Sequence, residues 1–183
     1  IIEIFMPAFI KIIAPGFSES DDKTNLAISL TRITFPFLFF ISLASFFSAI
    51  LNSHNKFGIA AAAPIILNVI LIIILFLDLG FGDQIVVQLS FGVSLAGFLQ
   101  LFLLYIFVKK KFKTKIILKI NFDNKVKFFF KKLIPSIFSS GVTQINILIG
   151  TIIVSFEVNA VSYLYYADRI YQINLAIAGI AIG

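Results

Sequence analysis

Long apolar segments separated by short polar connections make up most of the chain. A transmembrane helix requires about 20 predominantly apolar residues. The chain is 60% hydrophobic and 13% charged, whereas soluble domains are about 45–50% apolar and about 25% charged. The sequence therefore predicts an all-α, polytopic membrane protein. Its apolar segments are 25–51, 57–79, 84–108, 126–156 and 158–183, and a shorter one, 1–14, that is closed by Pro15-Gly16.

The connections between these segments alternate in charge along the chain. Loops 16–24 and 78–83 are acidic, and so is the turn at Glu157, whereas loop 52–56 and segment 109–132 are basic, the latter with ten lysines. Lysine and arginine are retained on the cytoplasmic side of a membrane. We therefore expect both basic connections in the cytoplasm and the acidic ones outside. This distribution accounts for the net charge of +6 without a nucleic-acid partner.

Two local features modify these segments. Residues 122–132 combine lysines with three consecutive phenylalanines, which is typical of a short amphipathic helix at the membrane surface. Pro36, Pro64 and Pro135 lie early in their segments, and each predicts a kink or a flexible point because proline interrupts helical hydrogen bonding.

Arg169 lies within the last apolar segment, where a charge is unusual. A charged side chain in a membrane span is costly and usually faces a polar cavity. Three- and four-residue steps return to the same face of a helix, which predicts a cationic, aromatic-flanked site for an anionic ligand. A structural ion pair, for example with Asp168, is the alternative. The residues that share the predicted face are Ser162, Tyr165, Tyr166, Arg169 and Gln172.

The preceding segment carries a stripe of small and polar residues. Such a stripe in a bilayer either bonds to a neighbouring helix or lines a wet cavity, and both interpretations are open. The next segment carries Arg169, so the two helices are expected to form two walls of one hydrophilic cavity. A second intramembrane charge, Arg32, is near the outer end of its segment, where snorkelling or a structural pair is favoured over substrate contact. The stripe comprises Ser136, Ser139, Ser140, Thr143, Asn146 and Gly150.

The residue types needed for catalysis are scarce. There is no cysteine, and the single histidine, His54, lies in a polar loop where a solvated role is favoured. No paired carboxylates, Ser-His-Asp set or glycine-rich phosphate loop is present. The sequence therefore predicts neither an enzyme nor a metal site, and it implies no cofactor.

Several runs of residues, in matching order over nearly the whole chain, resemble the MurJ (MviN) family. That family belongs to the multidrug/oligosaccharidyl-lipid/polysaccharide exporter superfamily, and its members flip the peptidoglycan precursor lipid II across the bacterial cytoplasmic membrane. The runs are Ala14-Pro-Gly-Phe17, Leu30 to Ser45, Ala49 to Phe57, Ala63 to Asn68, Ile120-Asn-Phe122 and Tyr165-Tyr-Ala-Asp-Arg169.

The resemblance implies a fourteen-helix fold with two lobes around a cationic cavity. Because the chain begins at Ile1 and stops inside an apolar run, we expect an internal fragment that runs from the end of helix 3 through helix 8. Residues 1–108 would belong to the N-terminal lobe. Residues 109–125 would form the basic cytoplasmic inter-lobe connection, and residues 126–183 would begin the C-terminal lobe.

The resemblance also implies a substrate site. The family's cavity arginine in helix 8 matches Arg169, with Asp168 and Ser162 in the surrounding motif, and Gln172 stands where the family often has an acid. Some members are thought to use a cation gradient, but residues 133–155 contain no carboxylate, so a coupling cation is not placed. The predicted substrate-binding residues are Arg169, Asp168, Ser162, Tyr165, Tyr166, Gln172, Asn146 and Thr143.

The expected function is the flipping of lipid II by alternating access, for cell wall synthesis, in a multi-pass protein of the bacterial inner membrane. The implied partners are a lipid-linked anionic glycan, membrane lipids and cell wall synthesis proteins. A flippase for another lipid-linked oligosaccharide, or a drug exporter of the same superfamily, is a second hypothesis. A non-transporting membrane scaffold, in which Arg169 is structural, is a third, and a membrane enzyme acting on a polyprenyl substrate is a fourth.

Overall fold

The computed structural model describes residues 4–77, 85–112 and 123–182, and it is helical almost throughout. This confirms the predicted all-α fold. Acidic loop 78–83 and residues 113–122 of the basic segment lie outside the described residues. The helices are α1 (Met6–Ile13), α2 (Asp21–Ser53), α3 (Phe57–Ala62), α4 (Ile65–Leu77), α5 (Ile85–Phe112), α6 (Asn124–Val154) and α7 (Ala160–Ile182), and a short 3-10 helix spans Pro15–Glu19.

Within the described residues, four helical stretches are long and apolar enough to cross a membrane, namely α2, α3 with α4, α5, and α6 from Val126 onward. The last predicted span, 158–183, is helical as α7 but is not among these four. Its lower hydropathy has a clear source, because Asp168, Arg169, Gln172 and several tyrosines interrupt its apolar residues.

Two proline residues shape the helices differently. The predicted segment 57–79 is divided into α3 and α4 at Ala63 and Pro64, because proline lacks the N–H that would continue the helix and its ring clashes with the preceding turn. Pro135, by contrast, lies inside α6. The prediction of a separate surface helix over residues 122–132 is wrong, because those from Asn124 onward are continuous with α6.

The chain divides into two compact units. The first comprises Ile1–Met6 and Leu26–Leu118, and its core is formed where α2, α3 and α5 meet. In α5 a buried residue recurs at every fourth position from Ala96 to Val108, so one stripe faces the core. The core residues are Ala44, Leu51, Ala63, Leu104 and Val108.

Close packing in the first unit depends on small residues of α5. Gly97 lies against the ring of Phe37, and a Cβ at position 97 would be 2.6 Å from the Phe37 Cδ2 atom. One helical turn away, the Ser94 hydroxyl donates a hydrogen bond to the Ile33 carbonyl at 2.5 Å. Pro36 lies within this part of α2, where it has no N–H to donate to the helical hydrogen-bond ladder.

The second unit comprises Pro7–Asn25 and Lys119–Gly183. It contains the 3-10 helix, α6 and α7. Helix α6 begins with a side-chain cap, since the Asp123 carboxylate accepts a hydrogen bond from the Val126 N–H at 2.9 Å.

Candidate functional site

The predicted site lies on the hairpin formed by α6 and α7. Helix α6 ends at Val154, and the chain reverses over residues 155–159. Ser155 is buried and its N–H bonds the Thr151 carbonyl at 3.0 Å. Asn159 has a φ of 62°, a left-handed conformation that asparagine tolerates better than most residues. The short turn makes the two helices antiparallel neighbours.

The helices approach each other closely at Gly150. A Cβ at this position would lie 3.6 Å from the Leu164 Cδ2 atom, an ordinary van der Waals distance. Beside this contact is a cavity of about 240 Å³ between α6 and α7. Its polar lining brings together three predicted residues, Asn146, Tyr165 and Asp168, and adds Thr151.

Arg169 lies beside this cavity rather than in its lining. It is exposed, and its guanidinium Nη1 donates a hydrogen bond to the Gln172 Oε1 atom at 3.0 Å. The structure therefore joins two predicted residues one helical turn apart. The hydrogen-bond partner is Gln172 and not Asp168, which lines the cavity toward α6. This bond uses one of the five N–H donors of the guanidinium.

The remaining predicted residues are not in this cavity. Thr143 and Tyr166 are exposed, as are Ser136, Ser139 and Ser140 of the polar stripe. Ser162 lines a different hollow, of about 240 Å³, next to the turn. Three of the eight predicted residues thus line one cavity between α6 and α7, while Arg169 and Gln172 form an exposed pair next to it.

The hollow at the turn includes a contact that the sequence does not predict. The Gly16 N–H donates a hydrogen bond to the Ser155 hydroxyl at 3.1 Å, so the 3-10 helix packs on the turn between α6 and α7. A Cβ on Gly16 would collide with the Ser155 carbonyl. The sequence signal at this place is Pro15-Gly16, which by itself predicts a helix break and no partner.

The polar side chains of this hairpin are hydrogen-bond donors and acceptors. Within residues 4–77, 85–112 and 123–182, no group of three or more His, Cys, Asp or Glu side chains is placed to hold a metal ion. The site offers a guanidinium, amides, hydroxyls, phenols and one carboxylate. These groups suit the recognition of phosphates and sugars.

Membrane-length helices and large exposed hydrophobic side chains define a multi-pass membrane protein. A family model described as "Lipid II flippase MurJ" matches residues 1–183. The chain therefore belongs to the MurJ family of lipid II flippases, which confirms the resemblance carried by its sequence motifs.

Curated relatives agree with this assignment. A probable lipid II flippase MurJ of Rickettsia prowazekii is 44% identical over 182 residues, which cover 98% of this chain and 35% of that protein. The corresponding protein of Rhizobium tropici is 39% identical over 187 residues, covering 100% of this chain and 35% of that protein. The chain thus spans about 35% of the length of these relatives. Membership in this family places the chain in a multi-pass protein of the bacterial inner membrane.

Proposed function

We propose that the protein flips lipid II across the inner membrane, and that Arg169 contacts the diphosphate of this lipid-linked anionic glycan. The observation that carries the proposal is the exposed guanidinium of Arg169, next to a cavity between α6 and α7 that Asn146 and Asp168 help to line, in a chain of the MurJ family. A guanidinium presents a planar fork of donors that matches phosphate oxygens. The bond to Gln172 holds this fork in one orientation.

The other polar side chains of the hairpin have supporting roles in this proposal. Asn146, Asp168 and Tyr165 line the cavity and would bond sugar hydroxyls. Tyr166 and Ser162 extend the polar surface of α7, and Thr143 extends that of α6. The apolar tail of the substrate would stay in the bilayer, so the hairpin handles only the polar head group.

Alternating access is the mechanism that best fits this arrangement. The bond between Gly16 and Ser155 joins two acidic connections that the charge pattern places outside the membrane. In the predicted division into lobes, these residues belong to different lobes. If the cavity between the two lobes opened outward, Gly16 and Ser155 would separate and their bond would break. If that cavity opened inward, the bond would be preserved. The proposal requires no covalent chemistry, and a coupling cation stays unplaced.

Competing functions differ in what they require of Arg169. A flippase for another lipid-linked oligosaccharide would use the same guanidinium with a different sugar. An exporter of cationic drugs would favour carboxylates in its cavity, and the described hairpin offers Asp168 alone within the cavity lining. A non-transporting scaffold would need Arg169 only as a structural partner of Gln172, and lysine would serve that role nearly as well.

Complementation of a bacterium depleted of its own lipid II flippase tests the proposal. The intact protein is expressed as wild type, Arg169→Ala, Arg169→Lys and a matched control, Arg32→Lys, which keeps an exposed charge on α2. We expect rescue by wild type and by Arg32→Lys, and at least a tenfold loss of viability with either Arg169 variant at equal membrane levels. A lost charge-assisted hydrogen bond of about 1.5–3 kcal/mol would slow translocation about tenfold or more, and we expect growth to fail for that reason.

Two outcomes would contradict parts of the proposal. Full rescue by Arg169→Ala would contradict the proposed contact between Arg169 and the diphosphate, but not the proposed flipping of lipid II. Failure of a well-expressed wild type would exclude lipid II as the substrate in that host and favour another lipid-linked glycan or the scaffold role.

A further inference from the structure

The backbone at the end of α2, in the first unit, fixes the position of the lysine that follows the helix. Asn55 has a φ of 59°, and its N–H bonds the Asn52 carbonyl at 3.0 Å. The Lys56 N–H bonds the Leu51 carbonyl at 2.9 Å. This pair of bonds is a Schellman motif, which closes a helix with a left-handed residue. Because Leu51 is fully buried, the backbone of Lys56 is anchored to the core.

This loop is also in contact with the end of α5. The ring of His54 meets the ring of Phe112 edge-on, with the ring centroids 4.3 Å apart. The contact brings the two basic connections, 52–56 and the start of 109–132, to the same end of the unit. Lys56 therefore lies beside lysines that follow it by more than fifty positions in sequence.

A basic hollow of about 480 Å³ results from this arrangement. Lys56, Lys110 and Lys111 line it, and Ile59 and Phe107 supply its apolar part. All three lysines are exposed, and no carboxylate is among the lining residues in the part of the chain that the structure describes. The hollow has a basic rim and an apolar patch, and it lies at the end of a membrane-length helix. It is therefore complementary to a phospholipid at the membrane interface, which presents an anionic phosphate above apolar chains.

The neighbouring lysine is separated from this hollow by the helix itself. Lys109 lies on another face of α5, with its Nζ atom 5.7 Å from the centroid of the Tyr105 ring. It lines an apolar groove between α2 and α5 instead. The three consecutive lysines thus do not act as one solvated charge run, since only two of them converge on Lys56.

We propose that this basic hollow binds the phosphate of an anionic phospholipid from the leaflet that faces the cytoplasm. Lys56, Lys110 and Lys111 hold the headgroup phosphate, and Phe107 and Ile59 pack against the glycerol and the first acyl carbons. Juxtamembrane lysines are attracted to anionic lipid, and a concave cluster retains one lipid where a flat surface exchanges it. The assignment is independent of the substrate proposed for Arg169.

Native mass spectrometry of the intact protein, released from bilayers of phosphatidylcholine and phosphatidylglycerol, tests the assignment. The variant is Lys56→Gln, Lys110→Gln and Lys111→Gln combined. The charge-matched control combines Lys109→Gln, Lys127→Gln and Lys131→Gln, all exposed lysines outside the hollow. We expect wild type and control to retain one more bound phosphatidylglycerol molecule per protein than the variant does. All three proteins should have the same melting temperature.

Each other result would overturn the assignment. Equal loss in both triple variants would show diffuse surface charge, and no loss in either would show that the hollow retains no lipid. Displacement of phosphatidylglycerol by millimolar inorganic phosphate would identify a site for free phosphate. Preferential retention of an added polyprenyl diphosphate over phosphatidylglycerol would assign the hollow to a substrate-type lipid instead.

Discussion

Gln172 accepts a hydrogen bond of 3.0 Å from the guanidinium of Arg169, and both side chains are exposed. We expect Gln172→Leu to lower the rate of lipid II translocation roughly 2–10-fold, since a net hydrogen bond contributes about 0.5–1.5 kcal/mol. Gln172→Glu should keep the wild-type rate, because a carboxylate also accepts a hydrogen bond from the guanidinium. The measurement is the translocation rate at equal membrane levels.

The control for this prediction is Gln144→Leu, an equivalent change at an exposed position of α6. It should leave the rate unchanged. A wild-type rate in Gln172→Leu, or a lowered rate in Gln172→Glu, would show that Gln172 does not position Arg169.

Gly16 is required for the close approach of the 3-10 helix to the turn between α6 and α7. A Cβ at position 16 would collide with backbone atoms of Ser155 and Phe156, and backbone does not yield as a flexible side chain does. We expect Gly16→Ala to weaken this contact by about 1–3 kcal/mol, a typical cost of overpacking. Proteolysis of the 3-10 segment in membranes should therefore be faster than in wild type.

Gly58→Ala is the matched control, because nothing lies within 4 Å of a Cβ built there. It should be cleaved at the wild-type rate. Equal rates for Gly16→Ala and Gly58→Ala would mean that the contact with Ser155 does not hold the segment in place.

The site residues illustrate what a sequence predicts at this scale. Helical periodicity gives the angle between side chains about one axis, so the shared face of Arg169 and Gln172 is predictable. It does not say which face meets the neighbouring helix. That direction is set by the approach of Gly150 to Leu164, which turns Asp168 toward α6 and leaves Arg169 on the flank.

At the scale of the elements, the hydroxyl of Ser94 links α5 to α2 next to a proline. Its bond to the Ile33 carbonyl is an interhelical one, and such bonds in membranes are worth about 0.6–2 kcal/mol. We expect Ser94→Ala to lower the free energy of unfolding by about that amount. Ser90→Ala is the control, because the Ser90 hydroxyl bonds the Val86 carbonyl of its own helix.

Detergent titration of both variants in mixed micelles provides the measurement. A loss in Ser94→Ala that exceeds the loss in Ser90→Ala would support a link between the helices. Equal losses would assign the effect to the removal of a hydroxyl from α5 and not to its bond with α2.

The helices themselves are largely predictable, because apolar length decides where a chain can cross a bilayer. The break at Pro64 has a local cause, and the residue itself signals it. The continuity of α6 from Asn124 through Pro135 is harder to predict, since the lysines and phenylalanines near its start are typical of a separate surface helix. Local polarity alone does not end a helix whose backbone bonds continue.

At the scale of the whole molecule, each unit contains one contact between two connections of the same charge sign. In the first unit, the contact of His54 with Phe112 joins two basic connections. In the second, the bond of Gly16 with Ser155 joins two acidic ones. Both groupings agree with the alternation of charge along the sequence, which follows from the retention of lysine and arginine on the cytoplasmic side.

Cysteine labelling tests the resulting orientation, and the chain suits it because its sequence contains no cysteine. Asn52→Cys and Val158→Cys place thiols at exposed positions near the basic loop and in the acidic turn, respectively. With any cysteine elsewhere in the intact protein replaced, a membrane-impermeant maleimide should label Val158→Cys in intact spheroplasts. It should label Asn52→Cys only after the membrane is permeabilised, because the basic end of the first unit faces the cytoplasm. The reverse pattern would invert the topology and place the basic hollow at the outer surface. Labelling of both thiols in sealed spheroplasts would mean that the two connections share a side, which would contradict the charge rule on which the topology rests.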